Sequence, residues 1–210
     1  MTYMKGLEDN AFELAIVDPP YGIDAANTFS GEERKSGKGA SYKTAFAAKN
    51  WDKGIPNKMY FDQLMRVSKN QIVWGANYMS HFLPPSMGWV VWDKDNGTTK
   101  FSDAELAFTS FDRALRIYKY TWNGMIQGDM KNKEVRIHPT QKPVKLYEWL
   151  LSNYAKEGDR ILDTHLGSGS SAIAAHYGGF DFVGCELDED YYKAACKRFD
   201  RETAQIDIFQ

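Results

Sequence analysis

Short apolar runs and helically spaced apolar positions alternate along the chain. ELAIV at 13–17 is an unbroken apolar run behind one acid, and it predicts a short buried strand. Residues 57–68 carry Met59, Phe61, Leu64, Met65 and Val67 at near-helical spacing, which predicts a helix. QIVWG at 71–75 and GWVVWD at 88–93 read as strands, and 105–110 and 114–120 as the strands of a hairpin-like unit. A helix is predicted over 144–155, behind Pro143, whose fixed φ suits a first helical turn. RILD at 160–163, a helix from 170 to 176, DFVGCE at 181–186 and a helix over 188–201 complete the series. Strands alternating with helices imply an α/β sandwich around a mostly parallel sheet with helices on both faces. Two polar stretches interrupt the pattern, 24–50 and 123–136, and both read as surface loops within a single domain over 1–210.

Composition narrows the function classes. The chain has 210 residues, 43% of them hydrophobic, enough for one sizeable core. No apolar run reaches the roughly 18 residues needed to cross a bilayer, and MTYMKGLEDN lacks a signal-peptide core. Cys185 and Cys196 form neither a disulfide framework nor a CxxC pair, so a reducing cytoplasm is expected and no metal site. The net charge of −2 confines any nucleic-acid contact to local basic patches.

Three stretches carry candidate chemistry. AIVDPPYGI leaves a strand through Asp18, Pro19 and Pro20 and places Tyr21 just beyond them. DTHLGSGSSAIAA runs from strand-end Asp163 through Leu166, Gly167, Ser168, Gly169 and Ser170 into a helix. Its glycines allow close backbone approach, and a helix start offers N–H groups to a ligand. Glu186 follows at the end of the next strand, where an acid can accept the hydroxyls of a ribose. Read alone, this unit favours a nucleoside-bearing cofactor over a mere tight turn with a solvated acid. RIHPTQKPVKLYEWLL supplies His138, Thr140, Lys142 and Pro143; read alone, it is a polar entry to an amphipathic helix.

Together, DPPY, HPTQKP and the glycine loop resemble the amino-methyltransferases of DNA, which move methyl from S-adenosylmethionine (SAM) to an exocyclic base amine. The resemblance runs from about residue 14 to 199. DPPY precedes the glycine loop, as in the circularly permuted group often called beta class. WGANYM and VVWDKDNGTTKFSDAELAFTSF resemble small phage and prophage members. The family's usual loop reads DPFxGSGT; here Leu166 is expected to supply the apolar wall and Ser170 the hydroxyl.

The resemblance implies a Rossmann-like fold, SAM as cofactor and DNA as partner, in the cytoplasm of a bacterial or phage-infected cell. It leaves open a restriction endonuclease partner and the choice between monomer and homodimer. It implies that Asp18, His138, Thr140, Lys142, Pro143, Asp163, Leu166, Gly167, Ser168, Gly169 and Ser170 surround SAM. Glu186 would hold the ribose, with Leu187 and Asp188 near the adenine. An adenine amine is a weak nucleophile, its lone pair delocalised into the ring. Asp18 and the Pro19 carbonyl would each accept one amine N–H, held by the stiff Pro19–Pro20 turn. Tyr21 would stack the flipped base by its ring, with no need of its hydroxyl. Arg34, Lys35, Lys38 and Lys43 are the expected phosphate contacts, and the two short loops imply a target of few base pairs. Asp18 favours adenine N6 over cytosine N4, where serine is commoner, and differs from the NPPY of protein-glutamine and RNA methylases. A catalytically silent SAM- or DNA-binding module is the third reading.

Overall fold

A computed structural model describes residues 2–25, 49–97, 102–123 and 126–204. Arg34, Lys35, Lys38 and Lys43 therefore lie outside the described residues. The chain opens with a short helix, α1 (Thr2–Lys5), and the strand β1 (Phe12–Val17). Helix α2 (Lys58–Val67) follows, its first turn capped by the Asn57 side chain, which accepts from the Tyr60 N–H. Then come β2 (Ser68–Trp74), two single 3-10 turns, β3 (Trp89–Asp93), β4 (Ala104–Thr109) and β5 (Arg116–Lys119). A small hairpin, β6 (Trp122–Asn123) and β7 (Ile126–Gln127), leads to α3 (Val144–Tyr154), β8 (Arg160–Asp163), α4 (Ser170–Tyr177), β9 (Asp181–Gly184) and α5 (Glu189–Thr203). Pro143 is the N-cap of α3 in extended conformation rather than part of its first turn.

Among the described residues the large sheet has seven strands in the order β5-β3-β4-β2-β1-β8-β9. β4 is antiparallel to both its neighbours, and every other pairing is parallel. Six strands thus point one way and β4 alone is reversed. The hairpin-like unit expected over 105–120 does not form. β4 lies between β2 and β3, and β5 pairs with the other edge of β3, so the chain passes around β3 between them. Local pattern showed two strands, but their partners are set by edges that β3 offers from elsewhere in the sequence.

Apolar residues fill both faces, which explains why the central strands read as runs rather than alternations. Leu14 and Ile16 face a core that holds Leu146 and Leu150 of α3 and Ile173 and Ala174 of α4. Ala15 and Val17 face the other core, with Tyr60, Phe61, Leu64 and Val67 of α2 and Met4 of α1. Each such buried Val, Leu, Ile, Phe or Met side chain contributes about 1.5–3 kcal/mol. The sheet order reverses at β1, with β2 on one side and β8 on the other. A crevice opens at the carboxyl ends of strands at such a switch point. DPPY leaves β1 there and the glycine loop leaves β8 there.

Candidate active site

A cavity of about 400 Å³ lies at that crevice, within the size range of cofactor pockets. Its wall brings together Asp18 and Pro20 after β1, His138, Thr140 and Lys142 before α3, and Leu166, Gly167, Ser168 and Ser170 after β8. Glu186, Leu187 and Asp188 after β9 complete it. These residues are up to 170 positions apart in sequence (18 to 188) and meet because their strands are parallel neighbours. Asp163, Gly169 and Pro143, expected around the cofactor, do not line the cavity. Asp163 is buried behind the loop, where it accepts from the His165 N–H at 2.9 Å and the Ser171 hydroxyl at 2.6 Å. Burial raises its carboxyl to about 7. Gly169 has φ +76°, a conformation that favours glycine, and a Cβ there would lie 3.3 Å from the Ala195 Cβ of α5.

The glycine loop is bound back on itself. The Gly167 N–H donates to Glu186 Oε2 at 2.8 Å, while Glu186 Oε1 accepts from the N–H groups of Leu187 and Asp188. The Gly167 N–H is therefore engaged, rather than open to a ligand as the sequence suggests. Three of the roughly four acceptor positions of the Glu186 carboxylate are taken. A ribose diol would use the remaining one and displace an N–H. Leu187, at the lip, is 100% exposed, an apolar surface that a flat ring can cover.

Asp18 stands on the same wall with both oxygens engaged. Oδ1 accepts from the Tyr21 hydroxyl at 2.7 Å and Oδ2 meets Lys142 Nζ at 2.5 Å. Lys142, its side chain 4% exposed, also meets Glu105 Oε2 at 3.0 Å, and Glu105 Oε1 meets Lys94 Nζ at 2.6 Å. Burial raises the Asp18 carboxyl above its usual range against the pull of Lys142. Burial would raise Glu105 too, but Lys142 and Lys94 outweigh it and hold it at about 2. Lys142, expected only to close the cofactor pocket, is thus tied to the DPPY acid as well. The Tyr21 ring stacks on Tyr78, with centroids 5.2 Å apart and planes 16° apart. Gly75 passes so close that a Cβ there would lie 2.0 Å from the ring. The Tyr21 hydroxyl is bonded to Asp18, a contact that the expectation based on the ring alone did not include.

Several site residues had no signal in the sequence. Asp52 is buried and accepts from the N–H groups of Gly22 and Ala25, both at 2.8 Å, fixing the exit from the DPPY turn. His165, at the motif's aromatic position, lines the cavity beside Leu166, and its ring packs edge-on to Tyr60. Trp51, His138 and Tyr191 form an aromatic wall, with centroids 5.1 Å and 4.3 Å apart along the series. Burial lowers the His138 imidazole to about 3. Of these residues only His138, through the HPTQKP motif, was singled out by the sequence; Asp52, Trp51, His165 and Tyr191 were not. Residues 126–136 are joined to HPTQKP, since the Gln141 amide donates to Glu134 Oε2 and to the Val135 carbonyl, both at 3.4 Å, and Glu134 caps α3 by accepting from the Val144 N–H.

A family profile described as DNA methylase, of the N6/N4 methyltransferases, matches residues 68–197, more than half of the chain. The chain belongs to this family of N6/N4 DNA methylases. The Type II methyltransferase M.HpaI of Haemophilus parainfluenzae is 26% identical over 239 aligned positions, covering 95% of this chain and 71% of the relative. M2.DpnII of Streptococcus pneumoniae is 38% identical over 84 residues, 40% of this chain and 31% of the relative. The crystal structure of the M1.HpyAVI–SAM complex superposes with TM-score 0.53 at 19% identity, covering 93% and 91% of the two chains. The cytosine-N4-specific PvuII DNA methyltransferase reaches TM-score 0.58 at 10% identity, covering 96% and 86%. These likenesses establish the fold, and this methylase family is SAM-dependent. The cavity fits that cofactor in volume, in its strand-end acid and in the bare apolar lip at Leu187. Among the described residues no helix is long and apolar enough to cross a membrane.

Proposed function

We propose that this chain methylates the exocyclic N6 of adenine in DNA, acting as one domain in the cytoplasm of a bacterial or phage-infected cell. The observation that carries the reading is the Asp18 carboxylate at the wall of the cofactor-sized cavity, half-buried and fixed by Tyr21 and Lys142. Bound in that cavity, SAM supplies a methyl group made electrophilic by its sulfonium. Asp18 accepts one N–H of the amine, since each carboxylate oxygen keeps an acceptor position beyond its present partner. The Pro19 carbonyl accepts the other, and Pro19 and Pro20 hold the turn rigid. The amine nitrogen can then pyramidalise toward the methyl. Tyr21 and its partner Tyr78 offer aromatic surface to an extruded base. Glu186 orients the ribose, Leu187 and Asp188 border the adenine of the cofactor, and His138 and Thr140 close the pocket. Arg34, Lys35, Lys38 and Lys43 meet phosphates.

The test is nucleoside mass spectrometry on DNA from cells producing the protein. N6-methyladenine is expected, and Asp18→Ala should abolish it while leaving SAM binding in place. N4-methylcytosine instead would move the chain to the other half of its family. No methylated base, with SAM bound, would overturn the reading.

A further inference from the structure

Glu105 lies outside DPPY, HPTQKP and the glycine loop, yet it reaches the site because β4 is reversed. It is the second residue of β4, so the reversal brings it to the edge where the parallel strands end. Opposite Trp92 in the register, it lies beside Lys94, two residues further along that chain.

The Lys142 ammonium has three N–H groups. Its three acceptors are Asp18 Oδ2, Glu105 Oε2 at 3.0 Å and the Tyr21 oxygen at 3.1 Å. The ammonium is saturated by the cluster and directs no donor into the cavity it borders. The Lys142 backbone is fixed as well, its carbonyl accepting from the Ser170 hydroxyl at 2.7 Å. Two carboxylates, Asp18 and Glu105, face two ammonium groups, Lys142 and Lys94, and the cluster is neutral. Removing Glu105 alone would leave one unbalanced cation at the wall of a cavity that must receive a sulfonium, itself a cation.

We propose that Glu105 is the charge-balancing and positioning residue of this site: it pins the Lys142 ammonium on Asp18 and cancels the positive charge that a cationic cofactor would otherwise meet. The inference rests on the cavity taking SAM. Lys94 anchors Glu105 from the far side, and the two lysines keep it ionised.

The test compares SAM with S-adenosylhomocysteine, the same molecule without the methyl and without the charge, by titration calorimetry. Glu105→Gln is isosteric and removes only the charge. It should weaken SAM by about ten-fold and the neutral compound far less, because two cations a few ångström apart repel strongly at low effective dielectric. Lys94→Met removes a cation instead and should shift the ratio of SAM to S-adenosylhomocysteine affinity the other way, which keeps the test open if one variant folds poorly. Glu105→Asp, which restores the charge, should recover most of the lost discrimination. Equal losses for both compounds in Glu105→Gln, or a ratio that neither variant moves, would overturn the proposal. Failure of the unaltered chain to bind either compound would overturn the cofactor reading, and this inference with it.

Discussion

Tyr21 makes two contacts that its sequence context does not separate. Its ring stacks on Tyr78 over Gly75, and its hydroxyl donates to Asp18. A hydrogen bond to a charged group is worth about 1.5–3 kcal/mol, so Tyr21→Phe should lower kcat by about ten-fold or more while the stack survives. Tyr21→Ala should lose most of the activity. Wild-type turnover in the Phe variant, measured on the same DNA, would mean that the Asp18 bond does not orient the acid. The buried ionisable groups also set a pH dependence with opposing signs. His165 is lowered by burial from 6.5 to about 4, so its contribution to stability is present above 6.5 and lost as pH falls through 4. Asp163 is raised by burial from 3.8 to about 7, so its contribution is full below 3.8 and lost as pH rises through 7. Asp163→Asn removes the opposing member. Urea melts at about pH 4.5 and about pH 7 should then show a steeper rise of stability with pH than in the parent.

Among elements, α5 does more than its amphipathic pattern suggests. Arg198, its side chain 0% exposed, bonds the Ser168 carbonyl and the Ser170 hydroxyl in the glycine loop and pairs with Glu134 at 2.7 Å and Glu202 at 2.9 Å. One guanidinium thus joins the helix, the glycine loop and the residue that caps α3. Breaking a buried pair strands its partner, so Arg198→Met should cost about 3–5 kcal/mol in denaturant unfolding. It should also weaken SAM, since the loop loses its anchor; a variant with full stability and full affinity would remove Arg198 from this role. The existence and type of the main elements were legible because apolar period and flanking turn residues are local properties. Asp188 even announces α5, as the N-cap that accepts from the N–H groups of Asp190 and Tyr191. Pairing was not legible. The hairpin expected at 105–120 failed because β3 offers both its edges, and nothing within β4 or β5 records that.

For the whole molecule, the site is a seam between distant segments, and a ligand in that seam should stabilise the fold. At a concentration of 100 times Kd, SAM should add about 2.7 kcal/mol to the free energy of unfolding. A thermal shift should reveal this in the parent. Glu186→Ala, which removes the acceptor of three loop N–H groups, should lose most of the shift. An undiminished shift would exclude Glu186 from the cofactor site.

By itself the sequence marked the motif residues: Asp18 behind two prolines, a helix-opening glycine loop and a strand-end acid. Those signals survive in one dimension because each motif is a contiguous turn with its own backbone demands. The tertiary structure alone decided which other charges surround Asp18. Lys142 comes from the loop before α3, Glu105 from the reversed strand β4 and Lys94 from the end of β3. Their ion pairs span 124 positions from Asp18 to Lys142 and depend on the order in which strands pair. A strand's own pattern specifies which faces it buries, but its neighbours and its direction are set by the edges that the rest of the sheet leaves free.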